Sequence, residues 1–516
     1  MKPYTYGTCL LIFLISILPV RAQQITFQLE CYTSTGDDAT AAIENTKGNF
    51  VVAGYSYSTS NGFDAVISEV SPLGNIIQSK TFTTTANELL RSIVQTTDGG
   101  YFITGSVYTN PSDYDWLLIK LDSAFNTVFY KRYGVVGAND NANSGFEISP
   151  GHYAVTGPVG LGGSTKPAVV TVNDSGIVIQ QGYLSTNQFA SPDYKGYYLG
   201  NGEVGITHLS NALTIVDTNG IVLKNYSFSV GIYSTVVIKS NSNEYVIASV
   251  DNYGAPTGSS LSLSFIDSSL TTFVSGNKFK VTGKDLLPVN IVKESNGDFI
   301  IAANAYDFNS GNYIPVVIKT SATGTLLWSK SYKPGSAVSS KFNSITAVAD
   351  GGYLLAGNIG PWNNQHMFLV KLDSAGNSNC NTTSYPLTTQ TPAPVANSIH
   401  APYTGTINTL TPTTFTWGSL NMTENLICLS TEIVENHNGV DYIIYPSIVD
   451  EGFYINAGIE ENIFIRIFDM TGKLIKTCNT FSNQWISMDT FKSGIYLVEA
   501  TGMQTKNHSI SKVVKQ

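Results

Sequence analysis

The eight residues Asp98-Gly-Gly-Tyr-Phe-Ile-Thr-Gly105 return almost unchanged as Asp350-Gly-Gly-Tyr-Leu-Leu-Ala-Gly357. Looser copies begin at Lys47, Gly151, Asn201, Asn243 and Asn296. Their apolar anchors fall at Phe50, Tyr101, Tyr153, Val204, Tyr245, Phe299 and Tyr353, so neighbours lie 41 to 54 residues apart. A period of this size marks a repeat architecture, in which each unit buries its apolar surface only against its neighbours.

Every copy sits in the same longer frame. A short apolar strand precedes the phrase, as in Arg91–Gln95. A third strand follows it, as in Asp115–Asp122, and a Gly-containing turn then leads to a fourth, as in Thr325–Tyr332. Four strands in about 50 residues are too few to cover both faces of a sheet, and stacking such sheets radially gives a β-propeller. An array of β-sandwiches would need about twice that length per domain. The fold expected is all-β: a seven-bladed β-propeller followed by a C-terminal β-sandwich.

Closure of the ring can be read from the same frame. The seventh unit runs out after Asp373 without a fourth strand, while Ile25–Tyr32 resembles a fourth strand and precedes the first unit. The N-terminal strand is therefore expected to complete blade seven and remove its open edge. The propeller is assigned to residues 23–380.

Composition supports strands and narrows the partners. Only 13% of residues are charged, with 46 Gly, 29 Tyr and 24 Phe, which suits short strands and tight turns. A formal net charge of −9 leaves no basic field for nucleic acid. Residues 1–22 read as a cleaved secretory signal, and no later run is long enough to span a bilayer as a helix.

Residues 381–438 are rich in Thr, Pro, Ser and Asn and read as an extended linker, with Phe415, Trp417 and the run around Ile427 able to pack locally. After signal removal Cys31, Cys380, Cys428 and Cys478 remain, and sequence alone leaves three pairings open. Cys380 and Cys428 bracket most of the linker, and a disulfide between them is preferred.

The last segment, residues 439–516, changes pattern. Tyr445-Pro446, Phe468-Asp-Met-Thr-Gly-Lys-Leu474, Ser493-Gly-Ile-Tyr-Leu-Val498 and the terminal Lys-Val-Val-Lys occur in that order. Together they resemble the type A C-terminal sorting domain of the type IX secretion system of Bacteroidota. One departure is Ser447-Ile448, where family members often carry Asn-Pro. The resemblance implies recognition by the outer-membrane translocon, and a passenger that is released or held at the cell surface. The propeller units likewise look like repeats common in secreted passengers, a likeness that carries no activity with it.

Motifs for catalysis are missing. The six His are scattered, and neither H-E-x-x-H, G-x-S-x-G nor a phosphate loop is present. Asp98, Asp298 and Asp350, and Asp122, Asp217, Asp267 and Asp373, recur at fixed frame positions, which points to turn-building; a catalytic pair would break the repeat. No cofactor or metal is expected. Calcium is the alternative at Asp37-Asp38 and Gly137–Asn143, neither of which has the spacing of a fixed calcium loop.

The insertions between second and third strands, rich in Tyr, Asn, Ser and Trp, should gather on one face of the ring. Tyr313 and Trp362 are the candidate binding residues there. The function expected is non-catalytic binding or adhesion toward a glycan or a protein. A carbohydrate-active enzyme and a scaffold without a small ligand are the alternatives.

Overall fold

In the computed structural model each repeat becomes an antiparallel sheet of four strands. The structure describes residues 24–429 and 443–515 apart from short stretches, the longest being 184–194, 252–257 and 391–408. Residues 1–22, the expected signal, lie outside the described residues.

The described strands of the repeat region form seven such sheets. Blade 1 is Asp37–Glu44, Phe50–Ser58, Gly62–Val70 and Ile76–Thr83, and blade 2 is Asn87–Gln95, Tyr101–Asn110, Asp113–Leu121 and Thr127–Tyr133. Blade 3 is Ser144–Ser149, His152–Leu161, Ser164–Val172 and Val178–Tyr183, and blade 4 is Lys195–Gly200, Glu203–His208, Ala212–Asp217 and Val222–Ser227. Blade 5 is Ile232–Lys239, Glu244–Asp251, Ser260–Asp267 and Phe273–Lys280, and blade 6 is Lys284–Lys293, Phe299–Asp307, Asn312–Thr320 and Leu326–Tyr332. Blade 7 takes Ser340–Ala347, Tyr353–Ile359 and His366–Leu372 from one end of the repeats and Phe27–Tyr32 from the other. The first strand of each blade lies against its neighbours in turn, including blade 7 against blade 1, so the ring closes.

The N-terminal strand pairs with the third strand of blade 7 from Phe27↔Lys371 to Cys31↔Met367. Phe27 and Leu29 are fully buried there.

Packing explains the repeated phrase. Second strands are covered on both faces by adjacent blades, so Tyr101, Phe102 and Ile103, like Tyr353, Leu354 and Leu355, form a continuous buried run instead of alternating. All seven anchors are buried, from Phe50 to Tyr353. The closing glycine has its own cause. A Cβ on Gly105 would lie 2.1 Å from the Leu89 carbonyl, because the first strand bulges toward it between Leu90 and Ser92. Gly357 meets Lys341 in the same way at 1.9 Å.

The described parts of the stretch read as a linker are docked. Thr382–Ser384 adds a fifth strand to blade 6 and Thr388–Gln390 to blade 5; Thr409–Leu410 adds one to blade 2 and Thr416–Ser419 to blade 1. Thr423–Leu429 covers the outer edge of the N-terminal strand in blade 7. Residues 25–430 accordingly form one compact unit. Its described parts are extended strands, and backbone pairing on sheet edges asks nothing of side-chain polarity.

The second unit holds two small sheets. Ile443–Tyr445, Gly452–Asn456 and Gln484–Ser487 make one; Ile448–Val449, His508–Lys515, Gly494–Gly502, Asn462–Asp469 and Leu474–Phe481 make the other. Their shared core contains Phe453, Ile455, Ile463, Ile465, Ile467, Val498 and Val513. The Thr471-Gly472 turn lies outside the described residues.

Candidate binding face

Antiparallel order gives the ring two unlike ends. First-to-second and third-to-fourth turns lie at one end. Second-to-third hairpins and the blade-to-blade crossings lie at the other.

The first end is repetitive. Asp98 accepts from Gly100 N at 2.9 Å and from Lys120 Nζ at 2.9 Å, and Lys120 also donates to Leu121 O at 3.0 Å. Asp350 makes the same contacts with Gly352 N at 2.8 Å and Lys371 Nζ at 2.8 Å. Partial burial works against the Asp98 carboxylate, but bonds from Thr96, Lys120 and Gly100 outweigh it and hold it at about 2. Asp122 and Asp373 tie their own turns, accepting from Asn126 N at 2.8 Å and Asn377 N at 2.7 Å. The Tyr anchors then reach the preceding blade: Asn45 donates to Tyr101 Oη at 3.2 Å, Tyr245 Oη donates to Glu203 at 3.1 Å, and Tyr353 Oη donates to Glu294. These recurring acids build turns and blade interfaces.

The hairpin end departs from the repeat. Cross-strand aromatic pairs occupy the tips in three blades: Tyr57 with Phe63 at 5.2 Å, Tyr108 with Tyr114 at 4.1 Å, and Tyr306 with Tyr313 at 5.0 Å between ring centroids. Phe308 stands edge-on to Tyr306 at 5.6 Å, and Tyr55 edge-on to Phe63 at 5.3 Å. Tyr57 and Phe308 are 40% and 42% exposed. In blade 7 the His366 ring stacks on Tyr32 at 4.4 Å, and its Nδ1 lies 2.6 Å from Glu30 Oε1. Blades 6, 7, 1 and 2 are consecutive, so these rings form one arc.

Tyr313 therefore sits at a hairpin tip, with its backbone N donating to Ser339 Oγ at 3.1 Å on the crossing to blade 7. Trp362 falls in the blade 7 hairpin but lies outside the described residues. The partner ring of Tyr313, Tyr306, was legible as the other flank of the same insertion.

A second set of residues here is carboxylates that break the repeat: Asp38 and Asp140 fall in the two stretches named for calcium, whereas sequence reasoning gave no role to Asp115 or Glu88. Asp38 is buried, accepting from Tyr55 Oη at 3.1 Å and Asn343 Nδ2 at 2.6 Å. Asp140 accepts from Val135 N and Gly160 N, each at 2.6 Å, and burial pushes it up to about 6. Asp115 is buried and paired with Arg132. Glu88, fully buried in the first strand of blade 2, accepts from Thr84 through Oε1, while Oε2 has no partner among the described residues. Burial, with the Asp64 charge nearby, pushes Glu88 up to about 8. The expectation that special acids would interrupt the repeat was the signal that could have found them. Their burial turns them toward cementing blades 7, 1, 2 and 3 beneath the aromatic arc. Asp37, named for calcium, is likewise buried and accepts from Thr33 N at 2.6 Å.

Cys380 and Cys428 are brought together with their sulfurs bonded and Cα atoms 6.2 Å apart. Cys31 is buried as a free thiol.

Residues 443–516 match the family described as the secretion system C-terminal sorting domain. The chain ends in a type IX sorting domain. This tail indicates export to the cell surface or beyond it, and no helix among the described residues is long and apolar enough to cross a membrane. No curated protein matches the chain significantly. Solved structures similar to it include a protein of unknown function from Bacteroides caccae, 11% identical, covering 59% of this chain and 93% of that one with a TM-score of 0.32. The WD40 β-propeller domain of Doa1 is 10% identical over 67% and 96% of the two chains, with a TM-score of 0.38. Sqt1 from Chaetomium thermophilum is 9% identical over 65% and 96%, with a TM-score of 0.41.

Proposed function

We propose that this exported propeller is a binding module, and that the arc of hairpin aromatics on blades 6, 7, 1 and 2 receives a glycan. The observation that carries this reading is the repeated ring pair at the hairpin tips, Tyr57/Phe63, Tyr108/Tyr114 and Tyr306/Tyr313, on the end where the repeat is interrupted. Rings held by cross-strand packing, with Tyr57 and Phe308 exposed and Tyr108 buried behind Tyr114, offer flat apolar surface at little entropic cost, which suits sugar faces. Asp38, Glu88, Asp115 and Asp140 are buried, which favours binding over glycoside hydrolysis, since hydrolysis needs two carboxyls open to the same bond. No metal is part of the reading, and adding calcium is a control.

A labelled full-length chain on a glycan array tests it. Binding to a defined sugar class that Tyr57→Ala and Tyr313→Ala each weaken supports the site. A hit unaffected by both substitutions moves the site elsewhere, and binding to protein ligands alone favours the adhesion reading in its protein form.

A further inference from the structure

The N-terminal strand is the piece on which ring closure depends, and it is flanked on both edges by chain that Cys380 and Cys428 join. One edge pairs with the third strand of blade 7. The other pairs with Thr423–Leu429, in which Cys428 stands opposite Gln28. Gln28 is fully buried; its Nε2 donates to Ser378 Oγ at 2.9 Å and to Cys380 O at 2.9 Å, and Asn381 Nδ2 donates to its Oε1 at 3.2 Å. The closing strand is thus held under a covalent bridge running from the end of blade 7 to the strand outside it.

Apart from Thr423–Leu429 itself, the described strands of the strap between the two cysteines are short. Those on blades 6, 5, 2 and 1 are only two to four residues long. Thr383, Ser384, Thr388, Thr389 and Gln390 are exposed. Pairings of this length are marginal in water.

We propose that the Cys380–Cys428 disulfide is a redox clasp: oxidation of the two thiols fastens the strap over the N-terminal strand and locks the ring shut. In the closing step each thiol loses one proton and one electron. One S–S bond forms between them, and the disulfide of a thiol oxidant, a dithiol oxidase or a small-molecule disulfide, is reduced to two thiols. The step belongs to compartments where disulfides persist, so the locked ring is a property of the exported chain. Cys31, on the clasped strand itself, does not compete, because it is buried 3% exposed among Phe27, Leu29 and Met367.

Hydrogen exchange on the full chain, oxidised and after dithiothreitol without denaturant, tests the clasp, with alkylation and mass analysis reporting which cysteines are reduced. Reduction should speed exchange in residues 27–32 on the order of a thousandfold, as expected for releasing a loop of this size, while Tyr101–Asn110 stays unchanged. Reduced Cys380 and Cys428 with undiminished protection at 27–32 would overturn the proposal. The second arm is Cys380→Ala/Cys428→Ala beside Cys478→Ala. Wild-type protection in the double variant overturns the clasp. Rapid exchange at 27–32, or loss of folding in the double variant alone, supports it.

Discussion

Lys120 Nζ lies 2.9 Å from Asp98 Oδ2 while its stem is buried between blades, so the charged end of a core residue is fixed by the first residue of the repeated phrase. The same pair recurs as Lys371 with Asp350 at 2.8 Å. Between them sits the second glycine of the phrase, whose absent side chain lets ammonium and turn approach.

Gly100 is therefore hard to replace in this blade. A Cβ there would fall 2.2 Å from Leu121 O and 2.5 Å from Lys120 Nζ. Gly48, in the equivalent turn of blade 1, has φ +79° but nothing within 4 Å of its would-be Cβ. Gly48→Ala should cost about 1 kcal/mol, from backbone conformation alone. Gly100→Ala should cost on the order of 3 kcal/mol, because the Leu121 backbone must move and the buried Lys120 stem loses the position that brings its ammonium to the exposed Asp98 carboxylate. Thermal unfolding of the two variants measures the difference; equal losses would remove the close approach as the cause.

Glu88 gives the ring a pH dependence of definite sign. The folded state keeps its proton up to about 8, whereas the unfolded chain releases it near 4.5. Between these values the folded state binds more protons, so stability falls as pH rises across the window and then levels off. Asp140, pushed up to about 6, adds to the lower part of the same slope. Glu88→Gln should flatten the profile and raise stability at pH 8 by a few kcal/mol at most. Melting temperatures of both chains from pH 5 to 8 decide it, and parallel curves would exclude Glu88 as the source.

These elements differ in how visible they were beforehand. The second strands and the closing strand were legible because burial on both faces forces uninterrupted apolar residues, a pattern that survives sevenfold repetition. The strap was not, since Thr382–Ser384 and Thr388–Gln390 dock through backbone groups that every residue possesses. Tyr313 was legible as an aromatic in an insertion. Glu88 was not, because a single acid in an apolar strand looks the same whether it faces water or is sealed beneath a neighbouring blade; Asp140 was named for its oxygen-rich loop, whose composition does not reveal that it is buried.

The aromatic arc should separate from the core when stability and binding are measured together. Tyr101→Ala removes a buried anchor and should cost about 3 to 5 kcal/mol. Tyr57→Ala removes a ring that is 40% exposed and should cost about 1 kcal/mol or less. If the hairpin rings serve a ligand, Tyr57→Ala loses affinity with the melting temperature nearly unchanged. A large fall in melting temperature instead would make that ring a packing element.

Ring closure by the N-terminal strand predicts the behaviour of a chain lacking residues 25–33. Its loss bares the edge of His366–Leu372 and strips Thr423–Leu429 of its partner at once. An open edge of buried-type residues, Met367, Phe368, Leu369 and Val370, is a template for pairing with another chain. The truncated protein should self-associate, read by light scattering after size exclusion, and unfold at a lower temperature. A synthetic peptide of residues 24–33 should restore the monomer by supplying the missing strand in trans, since the register from Phe27↔Lys371 to Cys31↔Met367 requires only that segment. A truncated chain that stays monomeric with unchanged melting would mean that blade 7 is stable on three strands, and the N-terminal strand would then be an ornament of the ring instead of its closure.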